Sequence, residues 1–367
     1  MPLNGLHIFE TWYILYKKVK IIKKNEYFYK KIFFEMTTME AVIPPVETEL
    51  LLAELTKDKF LRKSNFGNTE LYVFNCKDSP NLTKELGRLR EITFRMAGGG
   101  TGKSYDIDEY DLGEDPYLQL IVWDPDEKQI IGGYRFILGD TVLDNPEEKL
   151  ATSHLFEFSE NFLENYLPYS IELGRSFVQP GYQYGRNARK GMFALDNLWD
   201  GLGALTVEYP EMKYLFGKIT MYKHFDISAR DHILSFLGLY FPDTEKLLTP
   251  KDPIAFKKVE NVFAGNDYAN DYKILNAKVR ETGEKIPPLV NAYMNLSPSM
   301  ITFGTVENDE FGGVEETGIL INIADIYASK SDRHIKTYNR RIKLAQIFPR
   351  NIKIFNPKRW RSSKKQK

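Results

Sequence analysis

Leu82, Leu86 and Leu89, continued by Thr93 and Met96, fall at intervals of three and four residues, the spacing of one helical face. Asp78-Ser79-Pro80 offers a cap with proline in the first turn, and Gly98-Gly99-Gly100 stops the helix. Upstream, leucines at helical spacing between residues 49 and 62 predict another helix, and residues 70–76 read as a strand. Two apolar runs, 117–124 and 129–138, predict a hairpin across the turn Pro125-Asp126-Glu127-Lys128. A strand at 169–178 leads through a loop rich in Gly and Arg to a helix at 191–207, whose apolar face is Met192, Leu195, Trp199, Leu202 and Leu205. A strand at 213–221, a helix near 227–239, a polar stretch over 242–288 and a hairpin of 300–305 with 318–323 complete the pattern.

The resulting order, β-α-β-β-β-α-β-α-β-β, is neither a hairpin sandwich nor a regular βαβ repeat. It predicts an α/β (α+β) fold, a mixed central sheet with helices on both faces. Length and charge divide the 367 residues further. Residues 1–40 form a basic, aromatic extension, residues 41–330 the main domain with an insertion-like 240–290, and residues 331–367 a basic tail. The extension carries Lys17, Lys18, Lys20, Lys23, Lys24, Lys30 and Lys31. It reads either as an interfacial membrane anchor or as an upstream extension of the frame, since Met36 and Met39 are both plausible starts.

Lys+Arg and Asp+Glu both total 50, so net charge gives no pointer to nucleic acid. The single Cys76 excludes an internal disulfide and a thiolate metal cluster, and sits as a small strand residue. No apolar run reaches the ~18 residues of a spanning helix. Trp12-Tyr13-Ile14-Leu15-Tyr16 is too short for a signal-peptide core. The expectation is a soluble, cytoplasmic protein whose basic tail, Lys358-Arg359-Trp360-Arg361 with Lys364-Lys365, can meet the anionic inner face of a membrane.

The candidate chemistry lies in a dispersed set: Arg90, Phe94, Asp106, Asp108, Asp111, Arg135, Phe156, Glu172 and Arg175. Ser170-Ile171-Glu172-Leu173-Gly174-Arg175-Ser176-Phe177-Val178 puts an acid and a base into an otherwise apolar strand, where unpartnered charge is unfavourable. Glu172 is the candidate general base. The alternative is that Glu172 and Arg175 only order the site through ion pairs with Arg90, Arg135 or the aspartates. Asp106, Asp108 and Asp111 lack the glycine and the glutamate of a calcium loop, and His154, His224 and His232 share no metal spacing, so no metal is expected. Gly98 to Ser104 resembles the end of a phosphate-binding loop but follows a helix rather than a strand, which argues against nucleotide hydrolysis.

The ordered set, with Phe216-Gly217, Pro287-Pro288-Leu289-Val290-x-x-Tyr293 and Asp309-Glu310-Phe311-Gly312, resembles the GNAT superfamily over about residues 70–325. Within it the pattern is similar to acyl-homoserine-lactone synthases, and more so to the ornithine-lipid N-acyltransferase and hemolysin-like branch. The resemblance implies an N-acyltransferase that moves a (3-hydroxy) fatty acyl group from acyl carrier protein to the amine of an amino acid, giving an aminolipid precursor. It assigns catalysis to Glu172, Arg175, Asp108, Asp111 and Arg135, and substrate contacts to Arg90, Phe94 and Phe156. Two other readings are an acyl-homoserine-lactone-type synthase and a non-enzymatic, membrane-active protein.

One departure concerns the donor. Acetyl-CoA enzymes of this fold carry Gln/Arg-x-x-Gly-x-Gly/Ala after the fourth strand, whereas Gln179 to Gly191 has its glycines off register and adds Arg186, Arg189 and Lys190. With Gly191, these cations are read as the donor-binding positions. They suit the single phosphate of an acyl-phosphopantetheine on an acidic carrier protein, with no permanently bound cofactor.

Overall fold

The computed structural model describes residues 39–183 and 188–338, with backbone alone at 188 and 189. The N-terminal extension up to residue 38, Arg186, the side chain of Arg189 and the tail beyond residue 338 lie outside the described residues. Among the described residues the packed body begins at Val42. No helix among the described residues is long and apolar enough to cross a membrane.

Among the described residues, ten strands and eight principal helices follow one another. The first half holds α1 (Thr48–Glu54), β1 (Phe60–Lys63), β2 (Glu70–Phe74), α2 (Pro80–Ala97), α3 (Glu109–Leu112), β3 (Leu118–Asp124), β4 (Gln129–Leu138), β5 (Phe156–Phe158) and β6 (Ser170–Val178). The second holds α4 (Ala194–Glu208), β7 (Tyr214–Met221), α5 (Ile227–Tyr240), β8 (Leu248–Pro250), α6 (Tyr268–Glu281), α7 (Pro288–Met294), β9 (Ile301–Asn308), β10 (Val314–Asn322) and α8 (Ala328–His334). Eight strands make one sheet in the order β1-β2-β3-β4-β6-β7-β10-β9, and β5 pairs with β8. Every neighbouring pair of the large sheet is antiparallel except β6 and β7. The element order expected from the pattern is present, with helices on both faces of a mixed sheet.

Strand alternation assigns the faces. Leu71, Val73, Leu120 and Val122 meet Leu198, Leu202 and Leu205 of α4, and the same core continues through α5, α6 and α7. Tyr72, Phe74, Ile121 and Trp123 face the other way, onto Leu82, Leu86 and Leu89 of α2. A third cluster on that side gathers Ile137, Phe156, Phe216 and Leu320.

Three local expectations are corrected. The helix expected over 49–62 ends at Glu54, and Phe60–Lys63 is an extra strand pairing with β2. Leucine spacing alone does not register the break, which comes where Val73 N–H donates to Lys59 O. Ser79 does not cap α2 with its side chain; the Glu54 carboxylate does so by accepting from Asn81 N and Leu82 N. The buried Lys59 ammonium bonds Glu54 O, Asp78 O and Ser79 Oγ, tying the end of α1 to the start of α2. The polar stretch over 242–288 contains β8 and the 14-residue helix α6. Its buried Leu275 and Val279 sit four residues apart among polar neighbours, a stripe too thin to stand out.

Two irregularities shape the middle of the sheet. The parallel β6–β7 ladder runs only from Ser170↔Tyr214 to Leu173↔Gly217, after which the ladder ends. Between β4 and β6 the register slips past Gly133, and Arg175 adopts a left-handed φ of 50°. At the last rung, a Cβ on Gly217 would lie 2.2 Å from Leu173 O.

Gly217→Ala should therefore force the last rung apart and destabilise the fold by about 1–3 kcal/mol, as overpacking does. Gly238 is exposed on α5, and a Cβ there meets nothing within 4 Å. Gly238→Ala should stabilise by about 0.5–1 kcal/mol through helix propensity. Urea unfolding of both variants checks the pair; equal behaviour would contradict the close approach at Gly217.

Candidate active site

Between the two apolar clusters on the α2 side lies a layer of six charges. Arg90, 1% exposed, reaches from α2 to Asp106 Oδ2 at 2.8 Å and to both oxygens of Asp111, at 3.3 and 3.1 Å. Arg135 on β4 bonds both Asp108 oxygens at 2.7 Å and Asp111 Oδ2 at 3.4 Å. Arg175 on β6 contacts Asp106 Oδ1 at 3.2 Å and Asp108 Oδ2 at 3.4 Å, and its guanidinium stacks 4.1 Å from the Phe311 ring centroid. Gln119 on β3 adds a bond from Nε2 to Asp111 Oδ1 at 2.8 Å. The structure thus brings Arg90, Asp106, Asp108, Asp111, Arg135 and Arg175 into one network.

Local sequence explains how the aspartates are presented. Asp108 is the N-cap of α3, accepting from Tyr110 N and Asp111 N, while Asp111 accepts from Asp108 N to close a capping box. Burial opposes ionisation of Asp106, yet Arg175 and Arg90 outweigh it and hold its carboxyl below the usual range. Burial likewise opposes ionisation of Asp108, and Arg135 and Arg175 hold it well below that range.

Glu172 stands apart from this network. One of its oxygens, Oε1, accepts from Thr152 N at 2.7 Å and the other, Oε2, accepts from the Tyr117 hydroxyl. That hydroxyl in turn accepts from Ala151 N at 2.9 Å. Burial and the adjacent Glu172 push the Tyr117 hydroxyl well above its ordinary pKa. No ion pair joins Glu172 to an arginine among the described residues; the link is Arg135, whose guanidinium lies 5.1 Å from the Tyr117 ring centroid.

Glu172 and Arg175 are three apart, so a flat strand would send them to opposite faces. The left-handed turn at Arg175 breaks that parity, and both line one cleft of about 570 Å³ where β6 and β7 part. Such a conformation at a non-glycine residue is uncommon and unfavourable on its own. The two aspartates and the Phe311 ring hold it in place. The cleft also has an apolar arm lined by Phe94, Met96, Val178, Met192 and Leu195.

Other expected positions fall differently. Phe94 lines the cleft, whereas Phe156 is buried in the third apolar cluster against Gly318 and is absent from the cleft wall. The Lys190 ammonium, read as a donor-binding cation, bonds Asp124 Oδ2 at 2.8 Å and lies 3.4 Å from Asp126. Asp124 is buried at the hairpin turn and also accepts from the Tyr182 hydroxyl at 3.0 Å. Gly191 lines the cleft, but its lack of a side chain is needed elsewhere: a Cβ there would lie 1.6 Å from Tyr182 O. The Gly98–Ser104 loop is not a phosphate cradle. Its Thr101 N and Gly102 N, with Thr101 Oγ1, donate to the buried Glu91 carboxylate.

Several cleft residues escaped the sequence reading: Tyr117, Lys218, Glu316 and Phe311. Lys218 carried the same signal as Glu172, charge inside an apolar strand, whereas Glu316 precedes the run 318–323 that reads as a strand. Phe311 lay in a segment that carries the resemblance but was given no role, and Tyr117 carried no signal, because an aromatic residue at an element end reads as packing.

The acetyltransferase (GNAT) domain family matches residues 89–191. A glycine N(alpha)-acyltransferase of Phocaeicola vulgatus is 56% identical over 306 residues, 82% of this chain and 94% of its own length. One of the same name from Bacteroides thetaiotaomicron is 54% identical, over 82% of this chain and 91% of its own. A solved structure of a CoA-dependent acyl-homoserine lactone synthase with SAM and isopentyl-CoA aligns at 11% identity and a TM-score of 0.32, covering 75% of this chain and 90% of the other.

The charge layer yields a test. Arg90→Met leaves Asp106 without one partner and Asp111 without both of the bonds Arg90 supplies, which should destabilise the fold by about 3–5 kcal/mol. Asp106 and Asp108 ionise at lower pH when folded than when unfolded, where aspartate titrates near ~4. The unfolded chain therefore binds more protons below that pH, so this stabilisation is complete above it and lost as pH falls toward the folded values. Urea unfolding between pH 7 and 3 should show wild-type stability falling below about pH 4. A flat profile would contradict the folded-state depression.

Proposed function

The chain belongs to the family of these glycine Nα-acyltransferases, and from that premise we propose that it transfers a fatty acyl group from the thioester of an acyl carrier protein to the amine of glycine. That it is an acyltransferase follows from the family; the donor, the acceptor and the product are proposed. The observation that carries it is the position of Glu172, fixed by Tyr117 and Thr152 at the point where β6 and β7 part, facing a cleft with an apolar arm.

The reaction needs an uncharged amine, a base for its proton and donors for the oxyanion. The amine nitrogen attacks the thioester carbonyl carbon, forming the C–N bond as the carbonyl electron pair moves to oxygen. Collapse restores the carbonyl and breaks the C–S bond, and the sulfur leaves as thiolate and takes a proton. Glu172 is assigned to receive the proton lost from nitrogen. Each of its oxygens keeps a second lone pair beyond the bonds from Tyr117 and Thr152. The β6 backbone beyond Leu173, released from its parallel partner, supplies the N–H groups for the oxyanion. Asp108, Asp111 and Arg135 hold Arg175 and Tyr117 in place, and Phe94 lies along the path assigned to the acyl chain.

A carrier-bound donor is favoured over coenzyme A by the sequence from Gln179 to Gly191. Gly191 serves a close chain approach to Tyr182. Contact with an acidic carrier is assigned to Arg186, Arg189 and Lys190; Lys190 bonds Asp124 and Asp126 and keeps a third donor, and the two arginine side chains lie outside those described. A 3-hydroxy fatty acyl group and an acylated amino acid serving as an aminolipid precursor complete the reading, with release at an anionic membrane surface.

Pure protein incubated with 3-hydroxyacyl carrier protein, the matching acyl-CoA and a panel of amino acids, read by mass, tests each part. Acylglycine should form, faster from carrier than from CoA. Glu172→Gln should lower turnover by about 10²–10⁴ with the fold intact, the usual loss for a general base. Equal rates from both donors would remove the carrier, and a normal Gln variant would reassign Glu172 to structure.

A further inference from the structure

Opposite Glu172, the wall of the same cleft carries a second charged pair that the reaction above does not use. Lys218 is the first residue of β7 beyond the last β6–β7 rung. Phe216 is the partner of Glu172, so Lys218, two residues on, projects from the same face of the sheet. Its ammonium donates to Ala151 O at 2.8 Å and sits 3.6 Å from Glu316 Oε2. Glu316 comes from β10, the next strand, and is 5% exposed. It also accepts from Asn308 Nδ2 at 3.0 Å and Thr220 Oγ1 at 3.4 Å.

Three features single out this pair. An ammonium has three donors, and Ala151 and Glu316 occupy at most two. The separation from Glu316 is longer than a tight charge-assisted bond of about 2.7–2.9 Å, which leaves the lysine head open to another oxygen. Lys218 is also wired to the assigned base. Ala151 accepts from Lys218 through its carbonyl and donates through its N–H to Tyr117, whose hydroxyl donates to Glu172. A buried strand needs neither charge for packing. Paired opposite charges complement a zwitterion, whereas a lone cation complements only an anion.

We propose that Lys218 binds the carboxylate of a zwitterionic α-amino acid acceptor, with Glu316 as the positioning residue that aims it. The acceptor's ammonium end then lies beside Glu172; it loses one proton to solvent to become the free amine, and Glu172 takes the second as nitrogen attacks. The inference rests on the acyl-transfer reading of this cleft and adds the group that recognises the acceptor as an amino acid rather than a simple amine. Lys218 becomes a specificity-determining residue, and the acyl donor should be indifferent to it.

The test compares glycine with glycinamide, which keeps the amine and lacks the carboxylate, in the wild type, Lys218→Met and Lys218→Arg. Wild type should prefer glycine. Lys218→Met should raise the KM for glycine by about 10- to 100-fold, the worth of one charge-assisted bond, with the KM for the acyl donor unchanged. The preference over glycinamide should collapse in Lys218→Met and return in part in Lys218→Arg. Wild-type protein that uses glycinamide as well as glycine overturns the proposal, and this arm does not depend on a variant folding. Unchanged discrimination in folded Lys218→Met, checked by its melting curve, also overturns it. Wild-type protein inert toward every amino acid instead overturns the acyl-transfer reading itself, and the acceptor site with it.

Discussion

Three arginines and three aspartates, four of them buried and Asp108 and Arg175 half-buried, set the positions on which the rest of the cleft depends. Arg90 fixes the 106–111 segment to α2, Arg135 fixes it to β4, and Arg175 fixes it to the bulge of β6. Removing any one member takes a counter-charge from at least one buried partner. Apolar residues of similar volume would often hold such a layer as well or better. Stability therefore does not account for six charges, whereas the geometry of Arg175 and Tyr117 does.

The second constraint is the parting of β6 and β7. A parallel pair that stays together would bury Glu172 and Lys218 in a continuous sheet. Ending the ladder at Gly217 opens the gap, and the bulge at Arg175 turns a cation into it. The β9–β10 turn closes one side by placing Phe311 against both Phe94 and Arg175. The cleft is thus assembled from elements far apart in sequence, each held by a different kind of interaction.

What could be read in advance follows from this division. Helix α2, the β3–β4 hairpin and β10 announce themselves through periodicity, and the charges of β6 through their apolar surroundings. Strand β1 was hidden because Leu51, Leu52, Leu55 and Leu61 mimic a continuous helix across a break that only pairing with β2 creates. The bulge was invisible, since nothing in Glu-Leu-Gly-Arg says that residues three apart will share a face. The ion pair of Lys190 was not legible, because its partner, Asp124, is sixty-six residues away and reaches it only across the β3–β4 turn. Lys218 was legible by the rule that exposed Glu172, whereas Glu316 became part of a strand only because β10 begins four residues ahead of the apolar run 318–323.

The six-charge layer also has a limited reach. Its members sum to zero, and each lies within 3.4 Å of an opposite charge, so beyond the Debye length of about 8 Å in physiological salt almost no field survives. It cannot draw a reactant from solution or hasten an encounter. Its influence begins at contact, where water is excluded and each dipole and charge acts at full strength. The capture of a charged partner and the handling of its reacting atoms are accordingly tasks for separate parts of the molecule, free to vary independently.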